Sequence, residues 1–100
     1  MIGFGVAFLG SVSQYLGMLA ATMDRWDEAS RHFDHAIEQN LRVGALPWVA
    51  HTRYEHARAL SLRTGSSDRD RARKEAAEAV RIAGRLGMKN IHAKASALLS

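Results

Sequence analysis

Two histidines and two glutamates within residues 28–38 are candidate metal ligands. His32 and His35 lie three positions apart, with Glu28 four positions before His32 and Glu38 three after His35. On one helix this spacing places imidazole and carboxylate groups on a shared face, where they could hold a divalent cation. The same spacing also arises on an ordinary solvated helix face, and no second segment supplies a further ligand. The sequence therefore predicts no metal site and no cofactor.

Sequence motifs of the common enzyme classes are missing. The chain contains no G-x-x-x-x-G-K-[ST] phosphate loop, no G-x-S-x-G nucleophile elbow, no H-E-x-x-H pair and no cysteine. Without cysteine there is no disulfide framework and no thiolate metal site, which is compatible with a reducing cytosol. We expect a protein that is not an enzyme and that resides in the cytoplasm.

Charge is distributed unevenly along the 100 residues, which carry a net charge of +4. Residues 1–50 carry three Arg against five acids, and residues 51–100 carry eleven Lys or Arg against five acids. A basic half can attract nucleic acid, anionic lipid or an acidic protein, or it can be a solvated helix face. We prefer the solvated face as the interpretation.

The first 23 residues carry no charge, and an apolar segment of that length could cross a bilayer. No basic residue precedes the apolar run, and Ser11, Ser13 and Gln14 lie at its middle. A signal peptide has positive charge ahead of its apolar run, and a membrane-spanning helix does not usually carry such polar residues at its middle. The segment is better interpreted as a helix covered on both faces by protein, and we expect no membrane association.

Apolar periodicity and turn residues divide the chain into helices. Asp24 and Asn90 are predicted N-caps, Gly44 a left-handed C-cap, and Pro47 the start of a helix. Residues 64–68 form a turn cluster that ends in an N-cap at Asp68. These signals predict helices over about 4–23, 25–43, 47–63, 69–86 and 90–100.

Small residues in the first two helices allow them to pack closely as an antiparallel pair. Gly17 and Ala29 permit a close approach, while Leu16 and Phe33 fill the volume between the helices. The buried face of the second helix is predicted to consist of Ala29, Phe33, Ala36 and Ile37.

The pair then recurs along the chain. The third helix repeats the first at an offset of 40 residues, with Trp48 in the place of Phe8. The fourth repeats the second at an offset of 43, with Ala72 in the place of Ala29 and Gly87 in that of Gly44. We predict one all-α domain over 1–100 with five helices: repeat one over 4–44, repeat two over 47–87, and a partial third repeat or capping helix over 90–100.

Two and a half repeats are fewer than the three or so that a solenoid normally needs for stability. We therefore expect the chain to be a piece of a longer solenoid, or to cover its ends by association. Apolar side chains near both ends are the candidates for self-association: Phe4, Phe8, Val12, Leu98 and Leu99.

The repeats carry a family resemblance. It is carried by Tyr15-Leu16-Gly17, Arg25-Trp26-Asp27-Glu28-Ala29 with Phe33 and Ala36, Pro47-Trp48, Thr52-Arg53-Tyr54-Glu55, Asp68-Arg69 and Leu86-Gly87-Met88. This pattern resembles the C-terminal tetratricopeptide-like region of large bacterial signal-transducing ATPase regulators, either LuxR-type transcriptional regulators or adenylate/guanylate cyclase fusions. The resemblance implies a helical-repeat arm that binds an inducer or partner and relays the signal to the ATPase. The spacing of 43 residues exceeds the 34 of the standard repeat.

The resemblance also implies a concave binding wall built from the first helix of each repeat. Aromatic, cationic and hydrogen-bonding groups on one wall suit an acidic or extended peptide. In the other interpretation, Met18 and Tyr54 pack against the next repeat. Transferred position by position, the wall contains Gln14, Met18 and Ala21 from repeat one, and His51, Tyr54, Arg58 and Ser61 from repeat two.

The expected function is protein–protein interaction or signal relay in a bacterial regulator, with another protein, a peptide or other domains of a parent chain as partner. The alternative is a free-standing homodimeric adaptor. Nucleic-acid binding is the weaker third hypothesis, because Glu75 and Glu78 interrupt the basic face of the fourth helix at the spacing of Arg71–Glu75 and Lys74–Glu78 ion pairs. That face carries Arg69, Arg73, Lys74, Arg81 and Arg85.

Overall fold

A computed structural model of the chain describes the backbone of residues 2–62 and 66–99 and the side chains of residues 12–62 and 68–99. This part of the chain is all-helical, which confirms the predicted fold class at the level of secondary structure, and it contains no strand. Its five helices are α1 (Ile2–Thr22), α2 (Trp26–Arg42), α3 (Leu46–Ser61), α4 (Ser66–Leu86) and α5 (Lys89–Leu99).

Two glycines end helices as the sequence predicts. Gly44 follows α2 with φ of +71°, and Gly87 follows α4 with φ of +73°. Glycine adopts this left-handed conformation without a steric penalty because it has no Cβ. The short turns that separate α2 from α3 and α4 from α5 depend on these two residues.

Three predicted N-caps are wrong. Asp24 has φ of +59° and forms the turn itself, while Arg25 takes the cap position without a side-chain hydrogen bond. Aspartate is among the few residues that tolerate this conformation. Asp68 lies inside the first turn of α4, where its charge suits the helix dipole. Asn90 lies inside α5, since only Met88 separates that helix from the turn at Gly87.

The central helix is α3, which contacts each of the other four. α1 packs along α2, α4 packs along α3 and also contacts α5, and α3 lies against both α1 and α5. Short turns join α1 to α2, α2 to α3 and α4 to α5, so these neighbours in sequence are also neighbours in space. The described chain extends over 42 × 29 × 17 Å.

The buried core has two parts. The first cluster joins α1, α2 and α3 and contains Ala20, Ala29, Phe33 and Ala59. The second joins α2, α3, α4 and α5 and contains Ile37, Val49, Ala50, Ile82, Ala83 and Ile91. Alanine supplies much of the contact, so the helix backbones approach closely.

The predicted buried face of α2 is confirmed, since Phe33 and Ala36 are fully buried and Ala29 and Ile37 nearly so. The prediction for Leu16 is wrong, because this side chain is 39% exposed. The residue of α1 that faces α2 is Gly17, and its neighbour Leu16 lies about 100° further round the helix.

Gly17 meets Phe33 directly. A Cβ built at Gly17 would lie 3.1 Å from three carbon atoms of the Phe33 ring, closer than ordinary van der Waals contact. A Cβ at Gly84, which is exposed on α4, would lie 3.5 Å from the His92 ring, at ordinary contact distance.

We therefore expect opposite effects from the same substitution at the two glycines. Gly84→Ala gains helix propensity and stabilises the protein by about 0.5–1 kcal/mol. Gly17→Ala gains the same helix propensity but forces the fully buried Phe33 ring to move. The net effect is a decrease of about 1 kcal/mol in the free energy of unfolding. Urea unfolding of both variants measures the difference. Equal stabilisation by the two would contradict the close contact between α1 and α2.

Candidate functional site

One stripe of α3 faces two cavities. His51, Glu55 and Arg58 follow one another at intervals of four and three residues, which places them on one face of the helix. The first cavity, of about 110 Å³, lies between this stripe and the end of α1 and is lined by Met18, Ala21, Thr22, Glu55, Arg58, Ala59 and Leu62. The second, of about 380 Å³, lies between His51 and the start of α5 and is lined by His51, Met88, Lys89, Asn90, Ile91 and Lys94.

Arg58 supplies a positive charge to the first cavity. Its Nε donates to Glu55 Oε2 at 3.2 Å, and the Glu55 side chain is only 11% exposed while that of Arg58 is 49% exposed. The pair satisfies a carboxylate that would otherwise be buried without a partner. Arg58 is fixed in position and still presents part of its guanidinium to solvent.

Gln14 is placed inside the protein, although the resemblance assigned it to the wall. The amide Nε2 of Gln14 donates to His51 Nδ1 at 2.8 Å, and the Thr52 hydroxyl donates to Gln14 Oε1. Gln14 and Thr52 are both buried. This buried network ties α1 to α3 and orients the His51 ring at the edge of the second cavity.

Met18 and Tyr54 are both half-buried. Met18 packs against the first core cluster and also lines the first cavity beside Arg58. Tyr54 packs against the second core cluster. Ser61 is exposed, and its hydroxyl donates to the carbonyl of Arg58 at 2.7 Å. Among the predicted wall residues, Met18, Ala21 and Arg58 line one cavity and His51 lines the other.

His56 is buried in the core. The side chain is 1% exposed, and its ring stacks on Phe33 with a centroid distance of 4.9 Å. His56 Nε2 lies 3.4 Å from the Ser30 hydroxyl oxygen. Burial, together with the positive charge of Arg71, lowers the pKa of His56 to about 4, against an opposing effect of Asp34. The ring is neutral at pH 7 and serves as part of the core.

The ion pairs of α4 differ from those predicted within the helix. Glu75 accepts from Arg53 Nη1 of α3 at 2.9 Å, and Arg71 lies 3.3 Å from Asp34 of α2. Glu78 accepts from Arg81 at 2.8 Å. Partners on neighbouring helices hold Glu75 and Arg71, which a pattern within one helix does not reveal, while Glu78 pairs within α4 at a spacing of three rather than four. Glu38 and Arg42, four residues apart on α2, form an ion pair at 2.6 Å.

The segment with closely spaced histidines forms an open surface. Glu28, Arg31, His32 and His35 line a shallow cavity of about 390 Å³ on α2. Arg31 places a cation among the possible ligands. In the part of the chain that the structure describes, no group of three or more metal-binding side chains converges.

An apolar stripe runs along the described part of α1. Phe4 and Phe8, two of the predicted self-association residues, have side chains outside the described residues, while Leu98 and Leu99 of α5 are half-buried. The stripe consists of Val12, Tyr15, Leu16 and Leu19, together with Met23 in the turn that follows, and these side chains are 38–63% exposed. An apolar surface of this kind is typical of a contact with another protein segment.

Comparison with known proteins gives no match, whether with protein-family models, with curated proteins or with solved structures. The family resemblance drawn from the sequence therefore stays a prediction. Among the described residues, no helix combines the length and the apolar character needed to cross a bilayer.

Because the buried His56 resists protonation, the protein should lose stability in acid. In the unfolded chain the ring gains a proton near pH 6.5, and in the folded chain only near pH 4. The unfolded state binds more protons between these values, so the free energy of unfolding falls by about 3 kcal/mol as pH drops from 6.5 to 4.

His56→Gln removes this titration. The quantity to compare between the protein and the variant is therefore the change of the free energy of unfolding with pH. Chemical unfolding at several pH values measures both slopes, with the variant expected to lose about 3 kcal/mol less over the window. Parallel curves for the protein and the variant would show that His56 is protonated without cost and is not enclosed as described.

Proposed function

We propose that this chain is a tetratricopeptide-like helix-pair solenoid that mediates protein–protein interaction or signal relay, without catalysis, in a cytoplasmic bacterial regulator. The order of contacts supports the solenoid: α1 pairs with α2, α3 pairs with α4, and α3 lies between α1 and α5. Alternate helices in contact are what stacked helix pairs require. The role in a bacterial regulator is inferred from the sequence resemblance.

The observation that carries the binding function is the stripe on α3. Its two cavities have cationic groups at Arg58, Lys89 and Lys94, beside His51. The one carboxylate that lines either cavity within the described residues is Glu55, which is engaged by Arg58. A wall of this charge suits an extended acidic segment of a partner, held by charge-assisted hydrogen bonds.

The binding wall is tested with a fluorescein-labelled hexa-glutamate peptide, and with a hexa-lysine peptide as the ligand control. Arg58→Gln should weaken hexa-glutamate binding about fivefold, the size of one exposed charge pair. Gln is preferred to Glu because a second carboxylate beside Glu55 would also destabilise α3. Arg73→Gln, an exposed arginine of α4, is the matched control and should leave the affinity unchanged. If Arg58→Gln and Arg73→Gln bound hexa-glutamate with equal affinity, Arg58 would not be part of the binding wall.

The alternative function, a homodimeric adaptor, is favoured by the apolar stripe of α1. A second copy that covers this stripe would bury side chains that are otherwise 38–63% exposed. The two functions are compatible, since the stripe lies on α1 and the cationic groups lie on α3 and α5.

Self-association through α1 should disappear when a charge is placed on the stripe. Leu19→Glu is expected to yield a monomer of 11.0 kDa by light scattering, since a buried carboxylate opposes the contact. Leu41→Glu, at an equally exposed leucine of α2, is the control and should keep the mass of the parent protein. A mass of 11.0 kDa for the parent protein at high concentration would contradict the adaptor.

A further inference from the structure

A second groove lies on the side of α3 that is turned away from His51. Leu46, Val49 and Arg53 follow at intervals of three and four residues and share this face. The end of α2 and the second half of α4 complete the walls, which enclose about 330 Å³. This volume lies within the range of about 300–1,000 Å³ that is usual for small-molecule sites. The remaining lining residues are Leu41, Glu78, Arg81, Ile82, Arg85 and Leu86.

The groove has an apolar floor and apolar sides. Val49 is fully buried and Ile82 is 8% exposed, so the floor is part of the second core cluster. Leu41, Leu46 and Leu86 are 41–51% exposed at the sides. A hydrocarbon chain that lay between these leucines would remove apolar surface from water on both partners.

The polar groups of the groove leave a surplus of positive charge. Arg53 is held by Glu75 at 2.9 Å, and Arg81 is held by Glu78 at 2.8 Å. Arg85 also lines the groove, is exposed, and has no carboxylate partner among the described residues. A guanidinium beside an apolar groove is suited to a carboxylate, which it can bind with two parallel hydrogen bonds.

We propose that this groove binds a small amphiphilic carboxylate, with its hydrocarbon chain on Val49, Ile82 and the flanking leucines and its carboxylate at Arg85. The carboxylate of the ligand follows from charge complementarity with Arg85, and its hydrocarbon chain follows from the apolar walls of the groove. None of the predicted wall residues lines this groove. The site is therefore independent of the proposed protein-binding function, and either can fail without the other.

The test uses decanoate and decanol below their aggregation limits, with NMR detection on the full chain. Decanoate should shift the signals of Val49, Ile82 and Leu86, and decanol should bind the same place about fivefold more weakly because it lacks the charge. Arg85→Gln should reduce the affinity for decanoate to that for decanol and leave decanol unaffected. Arg73→Gln, the matched control on the same helix, should change neither affinity.

Four outcomes would overturn the proposal. Equal affinity of the parent protein for decanoate and decanol would show that the carboxylate does not contribute to binding. Shifts centred on Leu19 and Met23 would show adsorption to the apolar stripe of α1. The absence of shifts up to the solubility limit would show that the groove takes neither ligand. Shifts at Val49 and Ile82 that depend on protein concentration alone would show a contact between copies.

Discussion

The buried ring of Phe33 determines how closely three of the helices pack. It is fully buried, it lies against Gly17 of α1, and it stacks on His56 of α3 with a centroid distance of 4.9 Å. One side chain of α2 therefore fixes the distance between three helices. Close packing leaves little room for adjustment, so the small residue at Gly17 and the flat ring at His56 are both required by the position of Phe33.

The polar residues inside the protein follow from the central position of α3. Since this helix contacts all four others, it has little solvent-facing surface, and Thr52, Glu55 and His56 are buried on it. Two of them obtain partners from other helices: Gln14 of α1 accepts from Thr52, and Ser30 of α2 lies beside His56. Such pairs add specificity, because a shift of either helix would leave a buried polar atom without a partner.

Predictions from the sequence succeeded where the physical cause is local. The buried face of α2 follows from the helical period of Ala29, Phe33 and Ala36, and the ends of α2 and α4 follow from glycine at Gly44 and Gly87. The same local reasoning failed for Leu16. A run of apolar residues around a whole helix does not reveal which face will be covered, and α1 has one covered and one exposed face in its described part.

Features that join distant segments could not be predicted. Gln14 and Thr52 are 38 residues apart, and Ser30 and His56 are 26 apart, so neither pair has a pattern in the sequence. A polar residue on a helix is more often on the surface, so the sequence carries no signal that His56 is buried. The groove at Arg85 is built from the ends of three helices, and Leu41, Leu46 and Leu86 share no repeat position that would have indicated it.

Phe33 joins α2 to both α1 and α3 through one contact on each. Nuclear Overhauser effects from the ring protons of Phe33, measured in solution on isotope-labelled protein, test this most directly. We expect cross-peaks from the Phe33 ring to the α-protons of Gly17 and also to the ring protons of His56, because both groups contact the ring. Cross-peaks to Gly17 without those to His56 would show that α1 and α2 pair while α3 packs elsewhere, and would contradict the account.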